Sequence, residues 1–173
     1  MNKWLSLILT ACLSFPLAAQ DSNLQEAPGY VDFDTLSSVY GEPRVMVNIS
    51  GFLLKFMAAA SKNEDPEAAA LMRNLDAVRV NVYSTDGQLA PAQQQIASVK
   101  TILEKDGWQP VVQVKESDEE VQIFMKADDA GMQGLSVMTV NAEEAVFVNI
   151  IGEIDPGQLS MVMDQIDVDI DGE

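Results

Sequence analysis

Residues 108–151 read WQPVVQVKESDEEVQIFMKADDAGMQGLSVMTVNAEEAVFVNII. Within this stretch, apolar residues alternate with polar ones in segments of seven to nine residues, and short acidic or glycine-containing turns separate the segments. The segments are WQPVVQVKE (108–116), EVQIFMKA (120–127), GLSVMTVN (134–141) and AVFVNII (145–151). Connections this short join antiparallel neighbours, because a parallel pair needs a long crossover. The stretch therefore predicts a four-stranded antiparallel meander.

The sequence before the meander predicts two more strands and several helices. Residues 45–49 and DAVRVNVY (76–83) alternate with the period of a strand, and in the second of them Val78, Val80 and Val82 are predicted to face inward while Arg79, Asn81 and Tyr83 face outward. Helical spacing of apolar residues is found in segments 51–62, 68–75 and 91–107. After the meander, Asp155-Pro156 is predicted to open a last helix, with Leu159, Val162, Met163 and Ile166 on its apolar side. The predicted fold is α+β: a single domain with a mainly antiparallel sheet of about six strands and helices packed on one face.

The N-terminus has the pattern of an export signal. Lys3 precedes an apolar run over residues 4–17, and the small residues Ala18 and Ala19 follow. Cleavage after Ala19 predicts a signal peptide over 1–19, a flexible leader over 20–29, a single α+β domain over 30–166 and an acidic tail over 167–173.

A second cleavage site is the alternative. The segment LTAC (9–12) fits the lipobox of bacterial lipoproteins, in which Cys12 would carry a lipid anchor. Two features favour ordinary secretion instead. The apolar run before Cys12 is short for a signal, and the apolar stub LSFPLAA (13–19) would remain where lipoproteins have a polar tether. Both readings place the folded part outside the cytoplasm, in the periplasm of a Gram-negative bacterium, and neither predicts a transmembrane span.

Composition excludes several classes of function. There are 27 acidic and 10 basic residues, for a formal net charge of −17, which disfavours binding to nucleic acid. Histidine is absent and Cys12 is the only cysteine, so the commonest general base, an intramolecular disulfide and an ordinary zinc site are excluded. We expect no cofactor, no metal and no catalytic residue.

Acidic clusters leave two less favoured alternatives. ESDEE (116–120), Asp128-Asp129 and Glu143-Glu144 could supply the paired carboxylates of a small hydrolase, but all three fall in predicted turns, where acidic residues are common. The tail DVDIDGE (167–173) begins like a calcium-binding loop and stops before the bidentate glutamate that such a loop requires. We expect a solvated acidic tail.

The meander also predicts a candidate interaction face. If helices cover one face of the sheet, the other face still carries Phe124, Met138, Val140, Phe147 and Ile151. The alternative is that another helix covers these residues. On the first reading the protein is a non-enzymatic binding or interaction module, with an envelope protein or a second copy of itself as its partner.

The sequence resembles a known bacterial family. The segments VNIS (47–50), VRVNVY (78–83), the meander over 108–140 and VFVNIIGEIDPGQL (146–159) are similar to DUF4252, a family of unknown function, and the resemblance spans roughly residues 30–165. It implies a small secreted protein or lipoprotein. The family has no established activity, so the resemblance implies no catalytic residues.

Overall fold

The computed structural model describes residues 24–33, 36–37, 40–129 and 131–154. The predicted signal peptide with Cys12, the last predicted helix and the acidic tail lie outside these residues. The described chain contains three helices and six strands. They are β1 (Val45–Ser50), α1 (Gly51–Ser61), α2 (Pro66–Asn74), β2 (Leu75–Ser84), α3 (Leu89–Lys105), β3 (Gln109–Lys115), β4 (Glu119–Asp128), β5 (Gly131–Asn141) and β6 (Glu144–Ile154).

The six strands form one antiparallel sheet in the order β1-β2-β6-β5-β4-β3. The predicted meander is confirmed, since β3 to β6 are successive neighbours. Helix α3 carries the chain from β2, near one edge, to β3 at the opposite edge, and the meander then returns until β6 pairs with β2. The α+β class and the six-stranded antiparallel sheet are both confirmed.

Helices cover both faces of the sheet, whereas the sequence predicted helices on one face only. The stripe of α3 belongs to one hydrophobic cluster together with Tyr83, Phe124 and Phe147. The helices α1 and α2 contribute to a second cluster with Ile123 and Ile150. Because neighbouring residues of a strand point to opposite faces, these two clusters lie on opposite sides of one sheet. We call the two sides the α3 face and the α1–α2 face.

The core of the α3 face is aromatic. The ring of Phe147 lies 5.8 Å from Phe33, 5.8 Å from Tyr40 and 5.9 Å from Tyr83, measured between centroids. The hydroxyl of Tyr40 donates a hydrogen bond to the carbonyl of Ala92 in α3, at 3.0 Å. Burial, together with the nearby Tyr83, raises the pKa of Tyr40 to about 12, so this hydroxyl keeps its proton at a pH at which a free tyrosine would ionise.

The chain before β1 is fastened across the α3 face by two polar side chains. Asn149 of β6 accepts a hydrogen bond from the Val31 amide at 2.8 Å and donates one to the Gly29 carbonyl at 2.9 Å. Arg79 of β2 donates to the Val31 carbonyl at 2.8 Å, and its guanidinium lies 4.6 Å from the centre of the Tyr30 ring. Gly29 itself is buried, so the packed part of the chain begins before the predicted domain boundary at residue 30.

Candidate interaction surface

The five residues of the predicted interaction face are in the interior. Phe124, Met138, Val140 and Phe147 are fully buried in the cluster that contains the α3 stripe, and Ile151 is 1% exposed. For the first four residues the alternative interpretation is correct, because they pack in one cluster with helix α3. The stripe of α3 that covers this face consists of Ala92, Ile96, Val99 and Leu103.

Two residues of β2 are also buried although the sequence predicted that they face outward. Asn81 and Tyr83 were expected to face outward, but both are buried on the α3 face, where the Asn81 amide donates to the Tyr83 hydroxyl at 3.1 Å. Val78, Val80 and Val82 face the α1–α2 side and are only partly buried. Alternation located the two faces of β2 correctly but could not tell which face is better covered.

The acidic clusters lie at the turns of the meander, but they extend into its strands, whereas the sequence predicted that all three lie in turns. ESDEE runs from the turn after β3 into β4, Asp128 ends β4 and Asp129 follows it, and Glu143 precedes Glu144, the first residue of β6. Within the three clusters Glu120 is the buried member, and it is held by the Lys115 ammonium at 3.2 Å and the Gln122 amide at 2.6 Å. No group of three or more acidic residues in the described part of the chain has the geometry of a metal site.

The most exposed large apolar side chains lie on α1. Phe52 is 77% exposed and Phe56 is 66% exposed, with Leu53 and Met57 beside them. Residues three and four apart share one side of a helix, so these four side chains form a single strip, which we call the α1 stripe. The opposite side of the helix carries the buried residues Leu54 and Ala58, and Leu54 belongs to the cluster on the α1–α2 face of the sheet. The α1 stripe is therefore an apolar surface that nothing in the described chain covers.

Three basic residues border this surface. Lys55 and Lys62 of α1 and Arg73 of α2 line a shallow open pocket between the two helices. None of the three forms an ion pair with a residue that the structure describes. The helical hairpin of residues 51–74 holds three basic and three acidic residues, so its net charge is zero in a chain of net charge −17.

The strand β1 extends the exposed apolar area. It forms an edge of the sheet, and Val45, Met46 and Val47 are all exposed. Val45 and Val47 point to the α1–α2 face, and Met46 points to the α3 face. The α1–α2 side of the molecule therefore exposes apolar side chains both on α1 and on the edge strand β1.

The sequence of α1 indicates that part of the helix stays exposed, because its apolar residues are not confined to one side. The segment GFLLKFMAAAS carries apolar residues all around the helix rather than on one side. Such a helix cannot bury its whole circumference against a single sheet, so part of its apolar surface has to face solvent or a partner.

These features define the class of the protein: a small α+β domain with a closed aromatic core on one face of its sheet and an exposed apolar helix on the other. No helix in the described residues has the length and apolar character needed to cross a membrane. The chain belongs to the family DUF4252, a domain of unknown function, whose model matches residues 40–162. No curated protein matches the chain.

Proposed function

We propose that this protein is an exported, non-enzymatic interaction module that binds an envelope protein through the α1 stripe. The single observation that carries the proposal is the exposure of Phe52 and Phe56 on one side of one helix. Export is supported by the pattern of the first 19 residues. Binding is supported by the α1 stripe, because soluble proteins rarely expose contiguous large apolar side chains outside a binding surface.

Burying the two rings would supply a substantial part of a binding free energy. Moving a phenylalanine side chain from water into an apolar contact is worth about 1.5–3 kcal/mol. Aromatic residues at the centre of a patch are also the residues that most often dominate the affinity of an interface. The shape of the proposed site is therefore an apolar strip with aromatic anchors.

The flanking charges indicate the chemistry of the partner. Lys55, Lys62 and Arg73 line the pocket between α1 and α2, beside the helix side that carries the α1 stripe, and have no ionic partner among the described residues. A protein segment that combines apolar side chains with carboxylates would bury the rings and pair these cations. We propose an acidic, amphipathic segment of an envelope protein as the occupant.

Changing both rings tests the proposal. We expect Phe52→Ser with Phe56→Ser to abolish capture of the partner in a cross-linked pull-down from the periplasm, because the double change removes the aromatic anchors. The folding of the domain should be unaffected, since both side chains are exposed. The matched control is Ile102→Ser, which removes a 51% exposed apolar side chain from α3. Capture that survives the double change, or that Ile102→Ser reduces equally, contradicts the proposal.

The mode of export has its own test. We propose cleavage after Ala19, with the lipid-anchored form as the alternative, because the apolar stub after Cys12 is poorly suited to a tether. The intact mass of the exported protein should equal that of a chain beginning at Gln20. A mass that corresponds to a chain beginning at an acylated Cys12 would establish the lipoprotein alternative instead.

A further inference from the structure

The two edge strands of the sheet differ in how well they are protected from pairing. β3 carries Pro110, an irregular register between Pro110 and Val112, and Lys115 at its end. Proline, bulges and lysine are the devices by which natural proteins block the addition of another strand to an edge. The β3 edge is therefore closed to pairing.

The strand β1 has none of these devices. Its sequence, VMVNIS, contains no proline and no charged residue, and it pairs with β2 in an unbroken register from Val45 to Ser50. Five of its six residues are exposed and the sixth, Ile49, is partly buried. Alternate backbone N–H and C=O groups of an edge strand point away from the sheet and can bond a further strand. Among the residues that the structure describes, β1 is thus a regular, uncharged and open edge.

We propose that β1 pairs antiparallel with β1 of a second copy of this chain, joining the two sheets into one. A self-pairing strand must be complementary to itself, and an uncharged strand with apolar residues on both faces meets this requirement. Pairing would bring Val45 and Val47 of the two copies together on one face and Met46 on the other.

The distribution of charge favours this edge for self-association. Two copies with a net charge of −17 each repel one another over most of their surfaces. The segment 45–74, which contains β1 and the helical hairpin, holds three basic and three acidic residues. Two copies that meet along β1 therefore approach through the part of each molecule that carries no net charge.

Antiparallel pairing of β1 also determines where the α1 stripes of the two copies lie. The twofold axis between two antiparallel strands is perpendicular to the sheet, so each copy keeps the same face on the same side. Both α1 stripes then lie on one side of the joined sheet. The dimer would present two adjacent copies of the surface that binds the proposed partner, and avidity would strengthen that binding.

The first test is the oligomeric state of the full exported chain. We expect a concentration-dependent dimer in sedimentation, and we expect Val47→Lys to raise its dissociation constant at least about tenfold, because charge on an edge opposes pairing. The matched control is Val111→Lys on the β3 edge, where the valine is 48% exposed and the dimer should be unchanged. A chain that stays monomeric at about 100 μM, or equal effects of the two lysines, overturns the proposal.

Disulfide cross-linking is a second test of the dimer, and it detects pairing of β1 without a substitution that opposes the pairing. Cys12 is the only cysteine, and it is either removed with the signal or blocked by a lipid, so an introduced thiol is the only free one. We expect disulfide-linked dimers from Met46→Cys under mild oxidation, because the proposed pairing places Met46 of the two copies opposite each other, and none from Val111→Cys. Cross-linking of the Val111→Cys chain to the same extent as the Met46→Cys chain contradicts the proposed pairing.

These tests are separable from the test of the α1 stripe. The change of Phe52 and Phe56 to serine should remove partner capture and leave the dimer intact. Val47→Lys should separate the dimer and leave capture present but weaker. Loss of one behaviour without the other therefore identifies which of the two proposals fails.

Discussion

We expect Phe147→Ala to lower the free energy of unfolding by about 3–5 kcal/mol, one of the two largest effects among the substitutions considered for this domain. The ring is fully buried, and it contacts Phe33, Tyr40 and Tyr83. Removing it deletes apolar contact area and leaves a cavity that these neighbours cannot easily fill, because Tyr83 is fixed in β2 and Tyr40 is bonded to α3. Urea unfolding should show a lower midpoint with an unchanged slope.

The matched control for this substitution is Phe56→Ala. The same side-chain atoms are deleted, but from a ring that is 66% exposed on α1. We expect a change in unfolding free energy within about 0.5 kcal/mol. If the two substitutions destabilise the protein equally, Phe147 is not in the core and the described packing of the α3 face is wrong.

The second large effect is expected for Asn149→Ala. This side chain is fully buried and bonds the Val31 amide, the Gly29 carbonyl and, at 3.3 Å, the Leu135 carbonyl. Alanine removes the side-chain partner of the Val31 amide and of the Gly29 carbonyl at a buried position. An orphaned buried polar group costs about 1–3 kcal/mol, so we expect a loss of about 2–4 kcal/mol in unfolding free energy.

Hydrogen exchange distinguishes this mechanism from a general loss of packing. In Asn149→Ala the amide of Val31 should exchange faster even under conditions in which the centre of the sheet stays protected, because the N-terminal segment detaches first. The control is Asn48→Ala, which changes an exposed asparagine on β1 and should alter stability by less than about 0.5 kcal/mol. Slow exchange at Val31 in the Asn149 variant would show that the segment is held by other contacts.

Much of the sheet was predictable from the sequence because its causes are local. Alternation over residues 108–151 and the short acidic turns specify strands and antiparallel neighbours without reference to the rest of the chain. The break from strand to helix at Ser50 and Gly51 is likewise local. The start of α2 at Pro66 also has a local cause, although the helical spacing predicted that start only at residue 68. Asp65 caps α2 by accepting a hydrogen bond from the Ala68 amide at 2.9 Å.

Which residues form the candidate surface was not predictable, because the exposure of each side chain depends on which elements meet. Phe124 and Phe147 have the sequence signature of an open sheet face, and they are buried only because α3 and the segment before β1 cross that face. Phe52 and Phe56 have the signature of a helix lying on a core, and they are exposed because that helix reaches the sheet with its other side. In both cases the burial of the aromatic residues differs from its sequence pattern because it depends on contacts with other elements.

Asn149 is a single residue whose role could not be predicted from the sequence around it. In the segment AVFVNII it reads as a polar interruption of a strand, and nothing near it in sequence indicates a partner. Its hydrogen-bond partners at Gly29 and Val31 lie 120 and 118 residues away. Only the packing of the N-terminal segment onto β6 makes this amide a structural residue.

By itself, the sequence determined the class of the fold, the strands of the meander, the acidic character of the chain and its family. These properties follow from composition and from the periods of single elements. The tertiary structure decided which face of each strand is covered, which aromatic side chains remain exposed and which edge of the sheet is open. Those properties arise between elements that are far apart in the chain, and a pattern within one element carries no information about what packs against it.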